Sequence, residues 1–140
     1  MATVYSTGIS IPSNGSGSLN RPVPSTPGGI TLAAFGLPIP QPQAKVILNG
    51  TIGITASILN PTLIIQVFRG DQVIFSAREE TQLAIGQSQT ISFTAAELNV
   101  PVSSNQAYSM VIRVENPIII LNGATVTGPV TFTGVAYSAV

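Results

Sequence analysis

Acid–base chemistry in this 140-residue chain would fall to five carboxylates, Asp71, Glu79, Glu80, Glu97 and Glu115, because histidine and cysteine are both absent. Without them the usual general base, the base of a nucleophilic triad and the commonest metal ligands are missing. A glycosidase would still be possible with two carboxyl groups facing each other across about 5 to 9.5 Å. The spacing argues against it. Asp71 falls in a predicted turn, Glu79 and Glu80 end a predicted strand, and Glu115 alternates with an apolar face and so points outward. Calcium would need a compact Asp-rich loop, and a phosphate cradle would need a glycine-rich stretch before a helix. The chain has neither, so the sequence predicts no enzyme, no metal and no cofactor.

One short motif could carry recognition. Arg69-Gly70-Asp71 resembles integrin-recognised loops, and a hairpin tip there would expose it. Glycine and aspartate are also what a tight turn selects, so turn chemistry explains the tripeptide without a ligand.

Composition narrows the partner. Charged residues make up 7% of the chain and cancel to a formal net charge of zero, against roughly 25% in ordinary soluble domains. Arg21, Lys45, Arg69, Arg78 and Arg113 are scattered, whereas a nucleic-acid surface needs clustered cations to displace counterions. Apolar runs fall far short of the roughly 20 residues of a spanning helix, and the first residues show no signal peptide. A chain 44% hydrophobic with no net charge lacks the self-repulsion that keeps monomers apart, so copies of itself are the expected partner.

The elements that would present such a surface are strands. From residue 30 onward, short runs rich in Val, Ile, Thr and Phe are separated by Gly, Pro and Asn, the pattern of an antiparallel all-β domain. The predicted strands cover 30–34, 45–48, 51–56, 62–68, 72–78, 89–94, 107–115, 117–121, 124–127 and 130–137. Thr94 and Glu97 have capping-box spacing and predict one helical turn. Asn49-Gly50 and Asn122-Gly123 both suit tight hairpins. For the hairpin at 62–78, a three-residue loop of Arg69, Gly70 and Asp71 sets Val67 against Val73, Ile65 against Phe75 and Leu63 against Ala77, which gives one wholly apolar face. Further apolar faces arise from Tyr108, Met110, Ile112 and Val114, and from Val130, Phe132, Gly134 and Ala136. Several such faces close a core by packing two sheets together. The expected fold is an antiparallel β-sandwich of jelly-roll type, occupying residues 30–140.

Residues 1–29 read as an extended N-terminal arm. Residues 13–29 are mostly Ser, Gly, Pro and Asn and predict a flexible linker that spans up to about 55 Å extended, or about 24 Å as a coil. Ahead of it, residues 3–11 alternate like a strand, with Val4, Tyr5, Thr7, Ile9 and Ile11 as the candidate contacts. A sandwich exposes sheet edges whose open N–H and C=O groups accept another strand. The expectation is that residues 3–11 add to a neighbouring subunit.

Phe35-Gly36-Leu37-Pro38-Ile39-Pro40 and the closing run from Gly128 to Val140 resemble the low-charge, Ile/Val/Thr/Gly-rich β domains of Firmicute spore surfaces, in the exosporium and spore appendages, some with tumour-necrosis-factor-like jelly rolls. That resemblance implies a structural role on a resistant cell or spore surface, assembled without a signal peptide. The expected function is a self-assembling subunit of an extracellular or spore-surface filament or layer. Two alternatives fit the same composition: a viral capsid, tail or decoration protein, and an adhesin or carbohydrate-binding module. An aromatic content of 6% with no tryptophan weakens the sugar-stacking case.

Overall fold

A computed structural model describes residues 2–115 and 123–139 of the chain. Among the described residues, alternating apolar and polar side chains build nine strands, β1 (Val4–Ser13), β2 (Arg21–Val23), β3 (Ile30–Ile39), β4 (Ala44–Ala56), β5 (Thr62–Arg69), β6 (Gln72–Glu80), β7 (Ser88–Val100), β8 (Ser103–Val114) and β9 (Ala124–Tyr137). One sheet, here sheet A, runs β1-β9-β4-β7 with β2 also pairing to β9; sheet B runs β3-β8-β5-β6. Of the links between successive full-length strands, only β5–β6 stays within a sheet as a hairpin. Every other link crosses between the sheets. A five-stranded and a four-stranded layer linked in this way, with the short β2 as the extra strand, are a jelly roll, as the sequence predicts.

The core lies between the layers. Along β9, every second residue from Ala124 to Ala136 is buried, and the intervening residues form the outer face. Tyr108, Met110, Ile112 and Val114 of β8 meet Val130, Phe132 and Ala136 of β9 inside one apolar cluster. Phe35 of sheet B reaches across, its ring 4.7 Å from Phe132 and 6.1 Å from Tyr108, centroid to centroid.

That reach explains why the N-terminal segment is not an arm. Gly8 pairs directly with Gly134, and a Cβ on either would collide with the Phe35 ring. The two glycines form the slot that admits Phe35, and Tyr5 packs against the core beside it. β1 therefore satisfies the edge of β9 in its own chain. The predicted linker is structured as well. Ser13, Gly15 and Ser18 bond one another through hydroxyls and backbone, a habit of serine in turns. The Leu19 N–H donates to the Thr127 carbonyl, β2 pairs with β9, and Val23 is fully buried. The sandwich thus begins at β1 rather than at residue 30.

Other expectations shift for local reasons. Predicted strands 45–48 and 51–56 are one strand, β4, with Asn49 and Gly50 at its centre. Gly50 makes room for Phe93 and Met110 rather than turning the chain. Segments 124–127 and 130–137 fuse into β9 across Gly128-Pro129. Thr94 to Glu97 lies within β7, with no helical turn. The β5–β6 hairpin turns on two residues, Gly70 and Asp71, with Gly70 at φ +59°, and a bulge at Ile74 restores the parity. Val67 consequently faces Phe75, Ile65 faces Ala77 and Leu63 faces Glu79. Predicted strand 117–121 and Asn122 of the second Asn-Gly pair lie outside the described residues.

Candidate functional site

Two of the carboxylates, Glu80 and Glu115, share one arginine, and Glu97 stands apart with another. Glu115 accepts from Arg78 Nε at 2.9 Å, and Arg78 also bonds Glu80. All three are exposed, and such pairs contribute little. These contacts hold the Arg78 guanidinium above its usual pKa, the bond to Glu115 first among the causes. No group of three or more metal-ligating side chains occurs among the described residues.

Glu97 has a different setting. It projects from β7 toward sheet B, where Arg69 Nε donates to Oε2 at 2.8 Å and the Tyr108 hydroxyl donates to Oε1 at 2.9 Å. Arg69 also donates to Gln72 at 3.2 Å. The Arg69 and Glu97 side chains are only 17% and 14% exposed. Burial first, then the Glu97 charge and its hydrogen bond, pushes the Tyr108 hydroxyl well above the ordinary tyrosine range. With the tyrosine neutral and the carboxylate engaged on both oxygens, the cluster is a clamp between sheets.

The clamp also decides the fate of the Arg-Gly-Asp tripeptide. Gly70 and Asp71 are exposed at the hairpin tip, but the Arg69 side chain is turned into the sandwich end. The three residues do not present one surface.

What remains is sheet A, whose outer face and edges are almost free of charge. Its four long strands carry two charged residues, Lys45 and Glu97, and Glu97 faces inward. Across the outer face run rows of hydroxyl and amide groups. Thr127, Thr55 and Ser88 are linked at 3.0 and 2.7 Å, Thr51 and Ser92 at 3.3 Å, and Thr94 donates to Asn49 at 2.8 Å. Lys45, Ile47, Ala96, Leu98 and Tyr137 with Ala2 line a shallow, mainly apolar cleft of about 280 Å³ at one end of this face.

One edge of that sheet is β7, and the other is β1 continued by the short β2 along β9. On β1, Val4, Thr7, Ile9 and Ile11 are exposed, with Ile9 at 65%, while Tyr5 is half-buried against its own core. Four of the five candidate contact residues are thus presented, and the fifth anchors the strand. Sequence reasoning placed a strand at 89–94, within β7, but did not extend it to Leu98, which is 68% exposed, or single it out as an edge. The signal was available as a 13-residue stretch, 88–100, containing a single charge.

Comparison with known proteins identifies no family. No family model matches the chain, and no curated protein matches it. Among solved structures it is similar to an Eiger TNF from S. frugiperda, over 95% of this chain and 92% of that one, at 9% sequence identity and a TM-score of 0.49.

Proposed function

We propose that the protein is a structural subunit that self-assembles into a filament or layer, on a cell or spore surface, and joins its copies through the N-terminal strand β1. The observation that carries this reading is the state of β1 itself. It is a ten-residue sheet edge without one charged side chain, and it displays Val4, Ile9 and Ile11 to solvent. Proteins that remain monomeric blunt such edges with lysine, proline or coverage. Here Pro12 and two bulges mark the ends of the strand, and the run from Ser6 to Ser10 is regular.

The segment works as a strand already seated in its own sheet rather than as a tethered arm. Its outward backbone groups remain available while its inward groups pair with β9. Near-absence of charge elsewhere supports the same reading, since copies approach without long-range repulsion. The clamped state of Glu97, Arg69 and Tyr108 favours a structural role over catalysis.

Replacing an exposed apolar residue on the edge by a cation tests the reading. Ile9→Lys is expected to convert assemblies into monomers on size-exclusion chromatography, with the circular dichroism of the sandwich retained. Assemblies of undiminished size from folded Ile9→Lys protein would reject β1 as the joining strand.

A further inference from the structure

We infer that the acceptor for β1 is β7 of the next copy, so that sheet A continues from one molecule into another. This rests on the self-assembly proposed above and names the partner surface. Three observations lead to it.

First, charge separates the edges of the two sheets. β6, an edge of sheet B, carries Arg78, Glu79 and Glu80, and Asp71 sits in the turn before it. β3, the opposite edge, has an exposed Pro38 that offers no N–H. Both are guarded in the ways that prevent strand addition. β1 has no charged residue, and the single charge of β7 is turned inward to Arg69 and Tyr108. On sheet A the guards are confined to one end of one margin, Pro12 near the end of β1 and Arg21 and Pro22 on the short β2, and the run from Ser6 to Ser10 and the whole of β7 carry none that faces outward.

Second, strand direction fits a repeating contact. Each neighbouring pair in β1-β9-β4-β7 is antiparallel, so β1 and β4 run one way and β9 and β7 the other. A copy displaced sideways along the sheet without being turned over brings its β1 antiparallel to β7. The ladder then alternates without interruption. A two-fold contact of β1 with β1 would leave the longer β7 edge open, whereas the head-to-tail contact closes both edges at every junction. Such a contact does not close on itself and propagates.

Third, the side chains that would become neighbours match. β7 is in regular register with β4 from Ser88 to Glu97, which provides a straight edge longer than the regular part of β1. Ile9 pairs with outward-facing Thr133, so it lies on the outer face of sheet A. Ala96 and Leu98 of β7 lie on that face too, and apolar cross-strand pairs of this kind stabilise a ladder. Four strands at the usual spacing give a rise of about 19 Å per copy, and the right-handed strand twist winds the resulting ribbon.

The chain has no cysteine, which makes introduced cysteines the sole source of disulfides. Ile9→Cys protein is mixed in turn with Thr90→Cys, Thr94→Cys and Leu98→Cys protein and oxidised. The three β7 positions sample the register. A disulfide-linked dimer is expected in at least one mixture, a ladder of multimers from a chain carrying both cysteines of that pair, and no dimer from Ile9→Cys alone. Melting curves of each variant confirm the fold. Dimers from Ile9→Cys alone would overturn the assignment in favour of a two-fold contact. Full-size assemblies without a cross-link in any mixture would overturn β7 as acceptor and leave self-assembly standing, whereas a chain monomeric throughout would overturn both.

Discussion

Tyr108 shows at a single side chain how burial and a carboxylate partner fix a protonation state. Its hydroxyl is held protonated by burial and by the Glu97 carboxylate it donates to, so it cannot serve as a base near neutrality. A tyrosine with a raised folded pKa contributes stability that is complete below the unfolded value, about 10, and is lost as pH rises beyond it. Melting temperature should therefore fall more steeply between about pH 9 and 11 in the wild-type chain than in Tyr108→Phe. Parallel curves would contradict the clamp. Gly8 makes the complementary case for packing. Gly8→Val drives a side chain into Phe35 and should cost about 1–3 kcal/mol as overpacking, or about 3–10 °C in melting temperature. Gly15→Val, with nothing within 4 Å of its Cβ, should leave melting unchanged. Equal melting of the two variants would remove the argument that β1 is fixed in its own sheet by the glycine slot. The slot itself was not legible in the sequence, because Gly8 and Gly134 become meaningful only when paired.

At the scale of elements, the apolar faces were legible and the boundaries were not. Period-two alternation along 130–137 and at 108–114 revealed which residues enter the core, since a half-buried strand has no other way to be written. Glycine and asparagine misled where they serve packing instead of turning. Gly50 in β4 is small so that Phe93 and Met110 fit, and the same residue type one element later, Gly70, does turn the chain. The bulge at Ile74 breaks the alternation, so that Val73 is exposed opposite Phe68 while Phe75 faces Val67, and it was invisible because Val73, Ile74 and Phe75 are all apolar and mark no switch of face. Residues 13–29 were misread for a related reason. Their small polar side chains suit a flexible tether, and only Leu19 and Val23, packed into the core cluster, reveal that the segment lies down on β9. The candidate site was half legible: alternation and exposure on β1 could be read directly, but the β7 edge was obscured by a capping-box match at Thr94 and Glu97.

The whole molecule combines a closed core with an unguarded sheet. Most of its few charges lie in a clamp at one end of the sandwich and on the edge of sheet B, which leaves β1 without charge and the outer face of β7 without charge, with Arg21 on the short β2 beside β1. Association through such margins relies on backbone hydrogen bonds and apolar contact and should be nearly insensitive to screening. Sedimentation velocity of the intact chain over a wide concentration series, at about 0.05 and about 1 M salt, addresses this most directly. The account predicts species that grow with concentration and keep their size in high salt. A single monomeric boundary at every concentration, or assemblies that dissolve as salt is raised, would contradict it.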